Sequence, residues 1–171
     1  MTNKLYFLIG ASGAGKTTAI REVDNMHLPN LTVFYFDSIG VPPFEVMEKE
    51  YGSTDEWQRA TTIEWIRRMK EASKDSEVVL DGQTRPSSIH EGCEKYGITN
   101  YEIILFDCSN DTRTKRLEGR GQPELASAAM MDWARRLREW CNEDNACEII
   151  DNTKLNVDET RNSLLAQLGR T

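Results

Sequence analysis

The eight residues Gly10-Ala11-Ser12-Gly13-Ala14-Gly15-Lys16-Thr17 constrain the architecture of this chain more than any other stretch. They match the pattern G-x-x-x-x-G-K-[ST] at every position, and Thr18 extends the segment. An apolar run from Lys4 to Ile9 precedes them and a helical pattern follows. Glycines let successive backbone N–H groups face one concavity, and a helix start adds its positive end. The segment, called the phosphate loop below, is therefore built to hold a phosphate group.

The polar side chains of the phosphate loop predict the ligand more closely. Lys16 is expected to reach the β- and γ-phosphates of a nucleoside triphosphate, and to face solvent without it. The Thr17 hydroxyl is expected to bind Mg²⁺, which prefers oxygen ligands. ATP is favoured over GTP because the sequence has no N-K-x-D stretch, and Asn152-Thr153-Lys154-Leu155 has the wrong order. The predicted cofactors are ATP and Mg²⁺, held by residues 10–18.

A second magnesium-binding group is predicted at Asp81. The run Val78-Val79-Leu80-Asp81 is apolar and ends in an acid, which is the Walker-B arrangement. We expect Asp81 to bind Mg²⁺ directly or through a metal-bound water. The alternative is that Asp81 caps the turn that follows, since aspartate is common in turns.

The rest of the chain alternates apolar runs with helical patterns. The predicted strands are Lys4–Ile9, Leu31–Phe36, Glu77–Leu80, Tyr101–Phe106 and Cys147–Ile150. Parallel strands need crossover helices, so this alternation predicts a parallel sheet covered on both faces. The predicted fold class is α/β in three layers, and 171 residues fit a single domain over residues 1–171.

Composition narrows the range of partners. The formal net charge is -7, which argues against long nucleic acid as a ligand because phosphate-backbone binders carry a basic surface. The apolar run Leu5–Ile9 is too short to span a membrane. We expect a cytoplasmic monomer or homodimer that binds small molecules. In keeping with that compartment, the spacing of the cysteines predicts four free thiols, at Cys93, Cys108, Cys141 and Cys147.

With these motifs the chain resembles the P-loop nucleoside and nucleotide kinases, the group that holds adenylate, shikimate and gluconate kinases. The resemblance covers nearly the whole chain in element order and is specific in the phosphate loop. It extends to residues 81–85 and 113–136, whereas residues 38–75 match no one family's substrate motif. It implies a P-loop NTPase fold with a five-stranded sheet and a short helical lid. The implied activity is transfer of the ATP γ-phosphoryl group to a small acceptor: a nucleotide, a nucleoside or another small polar metabolite.

The resemblance also implies where the acceptor binds. The segment Asp81-Gly82-Gln83-Thr84-Arg85 resembles the Asp-Gly-x-Pro-Arg segment of adenylate-type kinases, whose arginine binds the acceptor; here the proline follows, at Pro86. Asp81 and Arg85 are thus predicted substrate-binding residues. Arg85 follows the carboxyl end of a strand, where ligands bind in open α/β sheets, and a guanidinium suits an anionic acceptor. An ordinary surface arginine is the alternative.

A further acid, Asp37, comes at the end of the second predicted strand. In shikimate- and gluconate-type kinases an acid here contacts the accepting hydroxyl, which implies a substrate-binding and general-base role. Those families often place another acid two residues later, where this chain has Ile39. A turn-capping aspartate is the alternative. Residues 38–75 should form the acceptor pocket, with Trp57 and Arg59 as candidate contacts, although aromatic residues there also suit a core.

The lid is implied over residues 113–136. Arg113, Arg116 and Arg120 share one helix face at i, i+3, i+7 spacing, and Arg136 resembles the returning arginine of adenylate-type kinases. Lys16, Arg116, Arg120 and Arg136 are the residues predicted to stabilise the transferring phosphoryl group. Salt-bridged arginines on a solvated helix are the alternative. Residues 151–153 are a weaker candidate for packing on adenine.

Two other functions share the phosphate loop. An ATP-dependent regulatory switch would hydrolyse ATP slowly and act through a protein partner. A polynucleotide-end kinase would use the same loop and Asp37, although the net charge of -7 argues against it.

Overall fold

The computed structural model describes residues 2–170, which form a five-stranded parallel sheet. The strands are β1 (Leu5–Ile9), β2 (Leu31–Tyr35), β3 (Glu77–Asp81), β4 (Tyr101–Asp107) and β5 (Cys147–Asp151). Their order across the sheet is β2-β3-β1-β4-β5, and every neighbouring pair is parallel. The predicted strands are confirmed to within one residue at each end. The phosphate loop therefore leaves the central strand of the sheet.

Helices connect the strands and cover both faces. The α-helices are α1 (Lys16–Asn25), α2 (Phe44–Tyr51), α3 (Thr54–Ala72), α4 (Pro86–Tyr96), α5 (Asn110–Gly119), α6 (Ala128–Asn142) and α7 (Val157–Gln167). Short 3₁₀ turns lie at Phe36–Ile39 and Pro123–Leu125. The expected three-layer α/β fold is confirmed.

The core is divided into two layers because side chains alternate along β1. Leu5, Phe7 and Ile9 face one hydrophobic cluster, which includes Trp65 of α3 and Leu137 of α6. The intervening residues of β1 face a second cluster, with Ile20 and Val23 of α1 and Leu164 of α7. Buried on both sides, β1 gives the phosphate loop a rigid origin.

Asp37 does not end a strand. β2 stops at Tyr35, and Asp37 lies exposed in the 3₁₀ turn Phe36–Ile39. Trp65 Nε1 donates to the carbonyl of Phe36 over 3.1 Å, which holds this turn against α3.

The expectation of four free thiols is wrong for two of the cysteines. Cys141, at the end of α6, and Cys147, at the start of β5, form a disulfide. Six positions separate them, and the chain reverses between α6 and β5, so their α-carbons come within 5.2 Å. Cys93 and Cys108 are free and buried, and burial raises the pKa of the Cys93 thiol to about 12. In residues 2–170, no helix has the length and apolar character that crossing a bilayer requires.

Candidate functional site: a phosphate loop between two cavities

The phosphate loop runs from the end of β1 to the first turn of α1. Gly13 has a φ of 83°, in the left-handed region that glycine adopts without strain. A Cβ at Gly13 would lie 2.9 Å from Cγ of Arg113 and 3.0 Å from Cγ of Leu117, both on α5. The loop thus rests directly on α5 at a position where only glycine fits.

Asn152, just after β5, fixes the last part of the loop. It is 1% exposed, and its Nδ2 donates to the Ala14 carbonyl over 2.6 Å. Arg116 of α5 donates through Nη1 to Asn152 Oδ1 at 2.9 Å and through Nη2 to the Asn152 carbonyl at 3.0 Å. One buried amide therefore joins the loop, α5 and the end of β5.

Lys16 does not face solvent, contrary to expectation. It is 8% exposed and forms an ion pair with Asp81 at the end of β3. β3 lies next to β1, so Asp81 ends beside the phosphate loop and within reach of this ammonium. The Thr17 hydroxyl lies 3.4 Å from the other Asp81 oxygen, so a hydroxyl and a carboxylate face each other. These hard oxygen donors fit the predicted Mg²⁺.

A cavity of about 380 Å³ opens beside the loop between α1, α5 and α7. Its lining residues are Gly13, Gly15, Thr18, Ala19, Arg116, Arg120, Asn152, Leu155, Asn156, Val157 and Thr160. Gly13 and Gly15 belong to the phosphate loop, Arg116 lies beside them, and Leu155 and Val157 provide apolar surface. Its size and mixed polarity suit a nucleoside attached to a phosphate chain.

The predicted lid arginines have different environments. Arg116 and Arg120 line the nucleotide cavity. Arg113 is fully buried and pairs with Asp107. Arg136 pairs with Asp132 on its own helix over 2.9 Å, and its side chain is 56% exposed. The structure brings Arg116 and Arg120 to the nucleotide cavity but leaves Arg136 on the outer surface of α6.

A second cavity, of about 300 Å³, lies on the α3 side of the loop. Its lining residues are Asp55, Gln58, Gln83, Arg85, Ser127, Ala129, Met130 and Trp133. The Arg85 guanidinium lies 5.4 Å from the centre of the Trp133 ring and pairs with Asp55 over 2.9 Å. Its buried Nε has no partner within residues 2–170.

Gln83 connects this second cavity to the phosphate loop. Its Nε2 donates to the Ser12 hydroxyl over 3.1 Å, and its carbonyl accepts from the amide of Gln58. A Cβ at Gly82 would lie 2.6 Å from Cβ of Phe36, so glycine permits the chain to pass here. The second cavity therefore adjoins the loop on the side opposite the nucleotide cavity.

The sequence matches no protein-family model and no curated protein significantly. Solved structures resemble it closely in shape. A sugar kinase from Janibacter sp. HTCC2649 is 18% identical with a TM-score of 0.69, over 99% of this chain and 95% of that chain. A gluconokinase from Sinorhizobium meliloti 1021 is 16% identical with a TM-score of 0.68, over 98% and 93%. A deoxyadenosine kinase from M. mycoides with bound dATP is 16% identical with a TM-score of 0.64, over 99% and 100%.

This chain has the P-loop kinase fold. At these identities the likeness extends to architecture alone, so the roles of individual side chains depend on the geometry described above.

The other predicted acceptor residues, Asp37, Trp57 and Arg59, are not among the residues that line the Arg85 cavity. Arg59 binds Glu91 and Glu56 on the exposed surface between α3 and α4. Trp57 is buried against Phe36, and one side of it lines a further cavity of about 420 Å³ with Ile39 and Pro42. The acceptor role of Asp37, Trp57 and Arg59 stays a prediction.

Sequence reasoning missed several residues that shape the two cavities. The spacing of Trp133 predicts a place on the apolar core face of α6, but its ring lies over the Arg85 guanidinium. Gln83 was an unassigned position within the Asp81–Arg85 segment, and its amide bonds the loop. Outside these two cavities, Asp107 and Arg138 had no motif; they form an ion pair whose carboxylate is buried and whose Arg138 side chain is 39% exposed. A charged residue that ends an apolar strand, as Asp107 does, was the available signal.

Proposed function

We propose that this protein is an ATP-dependent kinase that transfers the γ-phosphoryl group of ATP to a small acceptor. The observation that carries the proposal is the position of the phosphate loop between two cavities. A mixed cavity suited to a nucleoside opens on one side, and a polar cavity holding Arg85 opens on the other. A donor and an acceptor bound in these cavities would meet at Lys16.

ATP would place its base and ribose against the α7 side of the first cavity and its phosphates on the loop. Lys16 would leave Asp81 and bind the β- and γ-phosphates instead. The carboxylate and the phosphates are both anionic, and both would lie beside the phosphate loop. Arg116 and Arg120 line the same cavity and would balance the charge that develops during transfer.

Thr17 and Asp81 would hold Mg²⁺, because their oxygens face each other across 3.4 Å. When bound there, Mg²⁺ would supply positive charge beside the β- and γ-phosphate oxygens. Exclusion of water from the cleft would require α6 and the preceding turn to move toward the loop, and Arg136 would then exchange Asp132 for the nucleotide.

The acceptor would bind in the second cavity, and Arg85 favours an anionic group on it. The Arg85–Asp55 pair is exposed on the Asp55 side, where the carboxylate is 62% accessible, so the partner can be replaced at little cost. A phosphate or carboxylate could take the place of Asp55 at Nη2 of Arg85. Deoxyadenosine kinase and gluconokinase among the similar structures act on small polar acceptors of the kind this cavity would admit.

ADP release over a panel of acceptors tests this function. The panel contains nucleoside monophosphates, nucleosides and sugar acids, each with MgATP. Turnover that depends on one acceptor class supports the kinase, and anionic acceptors should be favoured. Equal ADP release with every acceptor, together with a stable protein partner, would instead support a regulatory ATPase. Salt-sensitive binding of oligonucleotides would instead support an end kinase.

The panel also tests the general-base role of Asp37. In an Asp37→Asn variant, transfer to an alcohol acceptor should be lost, because the amide cannot accept the hydroxyl proton. Transfer to a phosphate acceptor should fall much less, since a phosphate oxygen is already ionised. Equal losses of transfer to both acceptors would show that Asp37 takes no part in proton transfer.

A further inference from the structure

Beneath the phosphate loop lies a buried charged cluster that the proposed chemistry does not use. Arg113 of α5 is the largest fully buried side chain in the described residues. Its Nη2 donates to Asp107 Oδ1 over 3.2 Å. Arg138 of α6 also binds Asp107, with Nη2 at 3.1 Å from Oδ1. Two guanidiniums thus share the buried Asp107 carboxylate, which anchors Arg113 under the loop.

Arg113 also holds the backbone of the loop. Its Nη1 donates to the Ser12 carbonyl over 2.8 Å and to the Ala11 carbonyl over 3.3 Å. Asn152 holds the Ala14 carbonyl in the same way. Buried side chains on the protein side of the loop thus bind three of its carbonyl oxygens.

When a loop carbonyl is bound on the protein side, the N–H of the next residue points to the other side of the loop. The peptide unit is planar and trans, so C=O of one residue and N–H of the next point in opposite directions. Holding the Ala11 and Ser12 carbonyls therefore turns the N–H groups of Ser12 and Gly13 away from Arg113. Among the described residues, the N–H groups of Ser12, Gly13 and Gly15 donate to nothing, whereas Ala14 N–H is bound to the Ala11 carbonyl. Each of these unbonded donors follows a carbonyl that is held by Arg113 or Asn152.

We propose that Arg113, anchored by Asp107, is a positioning residue that holds the phosphate loop with its N–H groups directed at the phosphates of the nucleotide. The inference rests on the proposed function, because it assigns a role within the same ATP site. Arg113 touches no phosphate in this arrangement. It acts through the loop backbone, whose N–H groups it directs at an anion bound above them.

The test is Arg113→Lys, which keeps the charge and removes the planar fork. A single ammonium cannot reach the Ser12 carbonyl and Asp107 in the same geometry, so the carbonyls should be released. Calorimetry should show that MgATP and tripolyphosphate bind about tenfold more weakly or worse, as expected when charge-assisted hydrogen bonds that organise a site are lost. Adenosine has no phosphate, and its affinity, measured by NMR titration, should stay at the wild-type value.

Arg170→Lys is the matched control. Arg170 also joins two carbonyls to one carboxylate: it donates to Pro29 over 2.8 Å, to Asn30 over 3.1 Å and to Glu77 over 2.8 Å. These contacts lie at the amino-terminal ends of β2 and β3, whereas the phosphate loop lies at the carboxyl end of β1. Arg170→Lys should lower the thermal transition and leave the affinity for tripolyphosphate unchanged. This control separates loss of stability from loss of loop geometry.

The outcomes are distinct. If Arg113→Lys binds tripolyphosphate as tightly as wild type, or if Arg170→Lys weakens it equally, the positioning role is wrong while the kinase proposal stands. If wild-type protein binds no MgATP, the proposed function fails and this role fails with it. Should Arg113→Lys not fold, Asp107→Asn decides, because it keeps an acceptor oxygen but loosens Arg113. It should weaken tripolyphosphate in the same direction, and wild-type affinity there would overturn the inference.

Discussion

The two sides of the cleft are held by different kinds of contact. On the nucleotide side, buried groups brace the phosphate loop: Arg113 and Asn152 are at most 1% exposed and bind loop carbonyls. On the acceptor side, Arg85 pairs with an Asp55 carboxylate that is 62% accessible. Buried bonds are costly to break, and exposed ion pairs contribute about 0–1 kcal/mol.

This difference separates a preorganised half from an adaptable half. A loop whose carbonyls are already bound loses little entropy when a phosphate arrives, so its geometry is set before binding. Arg85 has a partner that an incoming anion can replace at small cost. The comparison therefore predicts large effects of substitution on the nucleotide side and small effects on stability on the acceptor side.

The largest effect is expected for Lys16→Met. ATP turnover should fall by about a thousandfold or more, because the γ-phosphoryl group loses its closest cation. Asp81 would also remain buried without a partner, which should cost about 3 kcal/mol of folding free energy. Acceptor-dependent ADP release and urea unfolding measure the two effects.

Two further variants of this pair sharpen the result. Adding Asp81→Asn to Lys16→Met should restore part of the lost stability without restoring turnover, since no buried charge is then unpaired. Lys74→Met is the control, because Lys74 pairs with Glu71 on the surface and its side chain is 60% exposed. Undiminished turnover in Lys16→Met would exclude the phosphate loop from the reaction.

The next effect is expected for Asn152→Leu. The Ala14 carbonyl and Arg116 would both lose a buried partner, at a cost of about 2–3 kcal/mol in unfolding free energy. MgATP should also bind more weakly, because the end of the loop is released and Arg116 loses one of its two hydrogen bonds to Asn152. Thermal unfolding and calorimetry measure both effects. Asn142→Leu, at an exposed position on α6, is the control, and an equal loss of stability there would contradict the bracing role.

The sequence predicted the nucleotide side well because its signals are local. The glycine spacing and Lys16 lie within one strand–loop–helix unit, and the apolar run that ends at Asp81 marks the neighbouring strand. Five strands follow from runs of a few apolar residues, so the fold could also be predicted.

Contacts between distant segments could not be predicted in this way. Helical spacing put Arg113, Arg116 and Arg120 on one face, but only the packing of α5 on the loop shows that Arg113 is buried. The Cys141–Cys147 disulfide depends on the reversal between α6 and β5. The burial of Lys16 depends on β3 lying beside β1, which brings Asp81 to it.

The acceptor side resists prediction for a second reason. Its cavity is assembled from α3, the segment after β3 and α6, and no continuous motif spans these elements. Trp133 has the spacing of a core residue, and only the tertiary structure places it over Arg85.

A smaller effect on stability is expected for substitutions of Arg85 and Asp55, which should change KM for the acceptor in opposite directions. Arg85→Gln and Asp55→Asn should each change the unfolding free energy by less than about 1 kcal/mol, since the Asp55 side of the ion pair is exposed to solvent. Arg85→Gln should raise KM for an anionic acceptor about tenfold or more. Asp55→Asn should lower that KM, because it frees the guanidinium, and neither variant should alter KM for ATP.

Initial-rate kinetics with the acceptor varied at saturating MgATP measure this pair of predictions. Arg67→Gln is the control, because Arg67 pairs with Glu64 on the exposed face of α3, away from the Arg85 cavity. A rise in acceptor KM for Asp55→Asn as large as that for Arg85→Gln would mean that the ion pair itself, and not the freed arginine, shapes the site.

The smallest effect concerns two carboxyl groups, one on each side of the cleft. Hydrogen bonds from Arg67 and Arg68 lower the pKa of Glu64 on α3 to about 2. Hydrogen bonds from the Thr153 hydroxyl and backbone lower the pKa of Asp151 at the end of β5. Each pKa lies below its unfolded value, so each group stabilises the fold above that value, and the contribution is lost as pH falls through the folded pKa.

The two pKa values should respond differently to salt. The partners of Glu64 are exposed cations, which salt screens, so its pKa should rise toward the usual value as ionic strength increases. The leading partner of Asp151 is a neutral hydroxyl 2.7 Å away, so its pKa should change less. NMR titration of both carboxyl groups at low and high salt measures this, and Thr153→Val should raise the pKa of Asp151 alone. An equal salt response at both sites would show that the pKa of Asp151 also depends on exposed charges. The contrast between the two sides of the cleft would then not extend to these two carboxyl groups.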